Sequence, residues 1–162
     1  MNQNDWAEYL VETYADTILR LSYTYLKNTA DAQDVCQTVF VKLLTVPVNF
    51  NSHEHEKAWI LRTTANVCKN LLKSPWHRRI CDLEACAEQP TPDIEDGYVL
   101  EIVNTLPSHY RIVIYLYYYE GYKANEIGEI LGVPIGTVHT RLARGRAKLK
   151  RLLGGTEYGE FV

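Results

Sequence analysis

No apolar run in this chain approaches the roughly 18 residues needed to span a bilayer, so no transmembrane helix is expected. The opening Met1-Asn2-Gln3-Asn4-Asp5 has neither a basic n-region nor an apolar core, so nothing points to export and a cytoplasmic protein is expected. Cysteine is scarce and poorly spaced for chemistry. Cys36, Cys68, Cys81 and Cys86 form no C-x-x-C pair, and without a signal peptide they read as free thiols and not as a disulfide framework. A metal site through Cys81 and Cys86 would need further ligands, which the surrounding sequence does not supply at usable spacing. No metal and no other cofactor is expected. β-alternation of useful length is missing, as is any internal repeat. His, Cys and carboxylates nowhere gather at catalytic spacing, which makes an enzyme the least supported class.

What is present is enough apolar material for a folded protein. The chain has 162 residues, 46% hydrophobic and 23% charged, which suits one ordinary globular domain or two small ones. Net charge is −3, but it is unevenly placed. Six of the 17 Lys and Arg residues lie between Gly136 and Leu153, where no acidic residue occurs. That stretch is +6, while the other 11 basic residues meet all 20 acidic ones and leave −9. A chain so acidic elsewhere gains little counterion-release energy on duplex DNA as a whole. The basic run is either a solvated helix end or a local DNA contact on a protein that takes its affinity from a partner.

Helical periodicity divides the chain into two lobes. In the first, Trp6, Leu10, Tyr14, Ile18, Leu21 and Tyr25 form one stripe, broken at Asn28-Thr29. Asp31 and Asp34 are expected in the first turn of the next helix, where they complement its dipole. Val35, Val39 and Leu43 line that helix, with Phe40 and Leu44 beside them, and Pro47 and the polar residues after it end it. A third helix runs to Lys73 along Leu61, Ala65, Cys68 and Leu72, flanked by Ile60, Thr64, Val67 and Leu71, and closes at Pro75. From Cys81 to Gly97 six acidic residues alternate with Pro90 and Pro92, a linker composition. The second lobe begins near Tyr98 with a short helix that ends at Pro107. Ser108 is expected to cap a helix through Glu120, with Gly121 as its stop. The tyrosines from Tyr115 to Tyr119 read as packing residues more readily than as base-stacking ones.

The most informative segment follows. Ala124 to Leu131 is a short amphipathic helix with Ile127, Ile130 and Leu131 inward. Gly132 can leave it with positive φ, Val133 plugs the turn, and Pro134 precedes a second helix. There Val138, Leu142, Gly145, Leu149 and Leu152 form the buried stripe, and Gly128 and Gly145 sit where helices can approach closely. Off the stripe lie Thr137, His139, Thr140, Arg141, Arg144 and Lys148. A short helix, a glycine turn and a basic amphipathic helix is the pattern that places Arg against base edges in the major groove.

The run EGYKANEIGEILGVPIGTVHTRLARGRAKLKRLL, from Glu120 to Leu153, closely resembles the C-terminal helix-turn-helix of bacterial sigma factors of the sigma-70 family, extracytoplasmic-function group. Asp31 to Leu43 resembles the family helix that docks on the polymerase clamp, and Ala58 to Asn66 resembles the segment that melts the promoter and reads its −10 element. The resemblance implies an all-α fold of two small helical domains joined by a flexible linker. Residues 1–79 would bind polymerase and melt the −10 element, 80–97 would be the acidic linker, 98–154 would read the −35 element, and 155–162 would be a tail. It implies polymerase contacts by Asp34, Gln37, Phe40 and Val41. It further implies −10 strand contacts by Trp59, Arg62, Asn66 and Lys69, and −35 duplex contacts by Thr137, His139, Thr140, Arg141, Arg144 and Lys148. The loop from Val46 to Glu56 corresponds to the family's recognition loop. Core RNA polymerase and promoter DNA would be the partners, with an anti-sigma factor as a further one. Lys123 departs from the pattern, standing where relatives place Ser or Thr as a cap. The competing class is a stand-alone helix-turn-helix regulator that binds an operator as a dimer, which would leave Asp31 to Leu43 without a role.

Overall fold

Three capping side chains organise the first half of the chain. In the computed structural model, which describes residues 2–47, 49–74 and 97–154, Asn2 Oδ1 accepts the Asp5 N–H at 2.8 Å. Asn28 Oδ1 accepts the Asp31 N–H at 2.9 Å, and Ser52 Oγ accepts the His55 N–H at 3.1 Å. Each satisfies an otherwise orphaned donor in a helix's first turn. The helices so begun are α1 (Gln3–Leu26), α2 (Thr29–Thr45) and α3 (His53–Lys73). α1 ends on Lys27 in the left-handed region at φ 55, and the Lys27 N–H reaches the Tyr23 carbonyl at 2.7 Å. That tight turn lets α2 start two residues later and fold back on α1.

α1 packs against both α2 and α3, which also touch each other. Leu10, Tyr14, Ile18 and Leu21 of α1 meet Val35 and Val39 of α2 and Ile60, Leu61, Ala65 and Cys68 of α3, all buried. Three expectations need adjustment. Asn28 caps a helix that begins at Thr29, so Asp31 alone lies in its first turn and Asp34 sits one turn further along. Ser52 caps α3 at His53, so the last four residues expected in the Val46–Glu56 loop are helical. Leu72, placed on the buried stripe, is only half-buried near the end of α3.

The second half contains α4 (Gly97–Thr105), α5 (Ser108–Ile114), α6 (Ala124–Leu131) and α7 (Ile135–Leu152). α5 continues into one wider π turn over Tyr115–Tyr119. Ser108 is not its cap. Pro107 takes that position, and Ser108 is already helical. The junction with α4 is held instead by Arg111, 4% exposed, whose Nη1 donates to the Leu106 carbonyl at 2.7 Å. A guanidinium satisfies carbonyls that a helix end leaves without partners. Gly121, at φ 74, ends the π turn, and Gly132, at φ 69, turns α6 toward α7. Both conformations favour glycine.

α7 packs on α5 and α6. Val138, Leu142, Gly145 and Leu149 are buried as expected, but Leu152 is 54% exposed and Leu153 takes the inward place at 4%. The stripe closes with a step of four after Leu149, because Leu153 keeps helical dihedrals and its N–H bonds the Leu149 carbonyl at 2.8 Å. The chain divides into two compact units, Met1–Pro90 and Thr91–Val162, and no strand occurs among the described residues. The fold is all-α. The proposed linker lies outside the described residues except for Gly97, which opens α4. Cys81, Cys86, Pro75 and the tail from 155 also lie outside them. Among the described residues no helix is long and apolar enough to cross a membrane.

Candidate nucleic-acid interface

Two glycines permit the close approaches that set the helix-turn-helix and its support. A Cβ on Gly128 would lie 2.9 Å from the Val133 carbonyl oxygen, so the turn closes directly over α6. A Cβ on Gly145 would lie 3.2 Å from Ile114 Cγ1, so α7 rests against α5 at close range. The α6 start has only half of a capping box. The Glu126 carboxylate accepts the Lys123 N–H at 3.0 Å, while an ammonium has no lone pair to return the bond. The departure at Lys123 thus leaves one donor of the first turn without its usual side-chain acceptor.

With α7 anchored, its outward residues fall into two groups. Thr137, Thr140, Arg141 and Arg144 line one open groove together with His109 and Tyr110 of α5. Lys148 stands beside it, its Nζ over the Tyr110 ring at 5.5 Å. Among the described residues neither Arg141 nor Arg144 forms an ion pair. His139 is exposed but two residues from Arg141, hence about 160° around the helix, and it does not join the groove. Arg146, also on the far side, is committed internally. Its Nε donates to the Tyr118 hydroxyl at 2.7 Å, and its guanidinium lies 5.3 Å from the Tyr117 ring. His109 was not a candidate from sequence, because a lone histidine 14 residues before the helix-turn-helix carries no local signal. Partial burial, then the charges of Arg141 and Lys148, lower its pKa from the usual 6.5.

In the other unit, α3 carries Arg62 and Asn66 exposed, with Trp59 and Lys69 half-buried, on the face opposite Ile60, Leu61, Thr64, Ala65 and Cys68. Trp59 lies edge-on to Phe50 of the preceding loop, ring centroids 5.8 Å apart. Phe50 also meets His55, whose Nδ1 accepts the Asn51 N–H at 3.1 Å. On α2, Asp34, Gln37 and Val41 share an exposed stripe, while Phe40 is turned partly into the unit. Val41 is 59% exposed, and Leu44 and Val46 extend an apolar edge.

Sequence comparison decides the family. Residues 10–78 match the sigma-70 region 2 model, and residues 96–149 match the sigma-70 region 4 model. The chain is 30% identical over 162 residues to the ECF RNA polymerase sigma factor SigW of Bacillus subtilis, covering 89% of this chain and 87% of that protein. This chain belongs to the ECF sigma factors of the sigma-70 family. It is also 32% identical over 159 residues to the ECF sigma factor SigE of Mycolicibacterium smegmatis, spanning 61% of that protein. In fold it is similar to the sigma factor RpoE of Bartonella quintana, solved with the anti-sigma factor NepR, at TM-score 0.66 and 20% identity over 92% of this chain and 96% of that one. CnrH, solved with the cytosolic domain of CnrY, gives 0.64 and 24% over 96% and 92%. The sigma factor is thus a promoter-recognition protein. The region 2 match accounts for the half of the chain that a stand-alone operator-binding regulator would leave idle.

Proposed function

We propose that this sigma factor acts in the cytoplasm by binding alone, with no catalytic step of its own, and divides promoter recognition between its two units. Residues 1–79 dock on core RNA polymerase through Asp34, Gln37, Phe40 and Val41 of α2. The same unit holds the melted −10 strand on Trp59, Arg62, Asn66 and Lys69 of α3. Residues 98–154 read the −35 duplex through Thr137, Thr140, Arg141, Arg144 and Lys148 of α7, with His139 reaching the flank of the same site. An anti-sigma factor competes for the α2 face, whose apolar edge at Val41, Leu44 and Val46 suits a protein partner.

The observation that carries this reading is the groove of Arg141, Arg144, Thr137 and Thr140, whose two guanidiniums form no ion pair among the described residues, on an otherwise acidic chain. One basic helix supplies too few phosphate contacts for tight independent binding at physiological salt, so the remaining affinity comes from polymerase. Gel shifts on promoter duplex with and without core polymerase test it. Weak binding alone and specific binding with core are expected. Tight, specific binding by the free chain as a dimer would overturn the proposal.

A further inference from the structure

The groove beside α7 contains a histidine that the recognition helix does not supply. His109 is the second residue of α5 and is largely exposed, with its ring 4.1 Å from the Tyr110 ring. It opens onto the same groove as Thr137, Thr140, Arg141 and Arg144. The charges acting on it are Arg141 and Lys148, both cationic and both from α7. On the neighbouring elements, Glu101 is the one charged residue of α4, and Glu120, at the far end of the same helical run, is held by the Tyr115 hydroxyl at 2.8 Å. A groove lined by two guanidiniums, two hydroxyls and an imidazole, with the Lys148 ammonium beside it, suits a phosphodiester.

We propose that His109 contacts a backbone phosphate of the −35 duplex as an imidazolium, so that binding of the upstream promoter takes up a proton. The proposal rests on the reading of α7 as the −35 helix. In the free protein partial burial, and then the cationic neighbours, favour neutral His109. A phosphate in the groove reverses the local field and raises the histidine's pKa. A group whose pKa is higher in the complex than in the free protein adds affinity that is complete below the free pKa. That affinity is lost as pH rises through the value in the complex. Arg141 and Arg144 keep their charge throughout, so they set a pH-independent background.

The test measures affinity of the reconstituted holoenzyme for promoter duplex at pH 5.5 and pH 8, comparing wild type with H109Q, H109K and R144A. Wild type is expected to bind about two- to fivefold more tightly than H109Q at pH 5.5, the range of a solvent-exposed ion pair, and equally at pH 8. H109K, with a permanent cation, should exceed H109Q at both pH values. At pH 5.5 the salt dependence of H109Q should be shallower than wild type by about 0.9 in log–log slope, one phosphate's worth. A wild-type to H109Q ratio that stays the same at both pH values, or H109K no better than H109Q at pH 8, overturns the assignment of His109. Unchanged binding by R144A would instead sink the underlying reading of α7.

Discussion

The Tyr14 hydroxyl donates to Glu56 Oε1 at 2.5 Å, joining the middle of α1 to the first turn of α3 with both residues buried. Tyr9 donates to the same oxygen at 2.7 Å, and His53 Nδ1 stands 3.8 Å from it. A carboxylate 7% exposed would be costly without such partners. Two phenols and the positive end of α3 supply them. This contact fixes where α3 begins, and with it the end of the loop that carries Phe50.

Tyr14→Phe keeps the ring and removes the donor. It is expected to destabilise the protein by about 1.5–3 kcal/mol, the range for hydrogen bonds to charged groups. Burial, then the hydrogen bond and charge of Glu56, hold the Tyr14 pKa above its usual 10. A group with a raised folded pKa contributes stability that is complete below the unfolded value and lost as pH rises beyond it. Denaturant unfolding should therefore show a constant gap between wild type and Tyr14→Phe from pH 7 to pH 9. The gap should narrow above about pH 10, near tyrosine's ordinary pKa.

Gly128→Ala tests the closure of the turn over α6. Alanine gains about 1 kcal/mol of helix propensity over glycine, yet its Cβ would sit 2.9 Å from a backbone carbonyl that has little freedom to move. A net loss of about 1–2 kcal/mol is expected in thermal unfolding, as overpacking exceeds the propensity gain. Gly145→Val presses two further methyls toward Ile114 and should cost more than Gly128→Ala.

Cys36 and Cys68 are buried free thiols, with burial pushing their pKa values up to about 11 and about 12. The thiolate is the reactive form, so at pH 8 both should alkylate slowly in the native protein and rapidly in denaturant. Peptide mapping by mass spectrometry after timed labelling reads this directly. Rapid native labelling of Cys68 would contradict its place in the core.

The helices were legible because their apolar residues repeat along one face. Leu10, Tyr14, Ile18 and Leu21, or Val138, Leu142 and Leu149, announce a buried stripe from spacing alone. The helix-turn-helix was legible for an added reason: Gly132 and Pro134 mark the turn chemically. Contacts between distant parts of the chain were not. Glu56 sits in a His-Glu-His-Glu run at the end of the expected loop, and its partners Tyr9 and Tyr14 are more than 40 residues away. No local pattern marks the roles of Arg111 and Arg146: one satisfies the end of α4 and the other lies on Tyr117 and Tyr118. Leu152 and Leu153 are adjacent apolar residues at steps of three and four from Leu149, and spacing alone does not decide which one is buried. The groove residue His109 is brought to α7 by the packing of α5, which no local pattern encodes.

Recognition split between Asn66 and Arg144 is tested most directly by abortive transcription with core polymerase on two templates, one fully duplex and one pre-opened across the −10 element. Arg144→Ala removes the proposed −35 contact, with an expected cost of about 1–3 kcal/mol if it reads a base, and an opened −10 bubble cannot replace that contact. In the proposed division Asn66 acts on a strand exposed only after melting, so opening the template should remove much of the work it performs. Pre-opening is expected to restore Asn66→Ala far more than Arg144→Ala. Equal recovery, or equal loss, of the two variants on both templates would contradict the division of promoter reading between the two units.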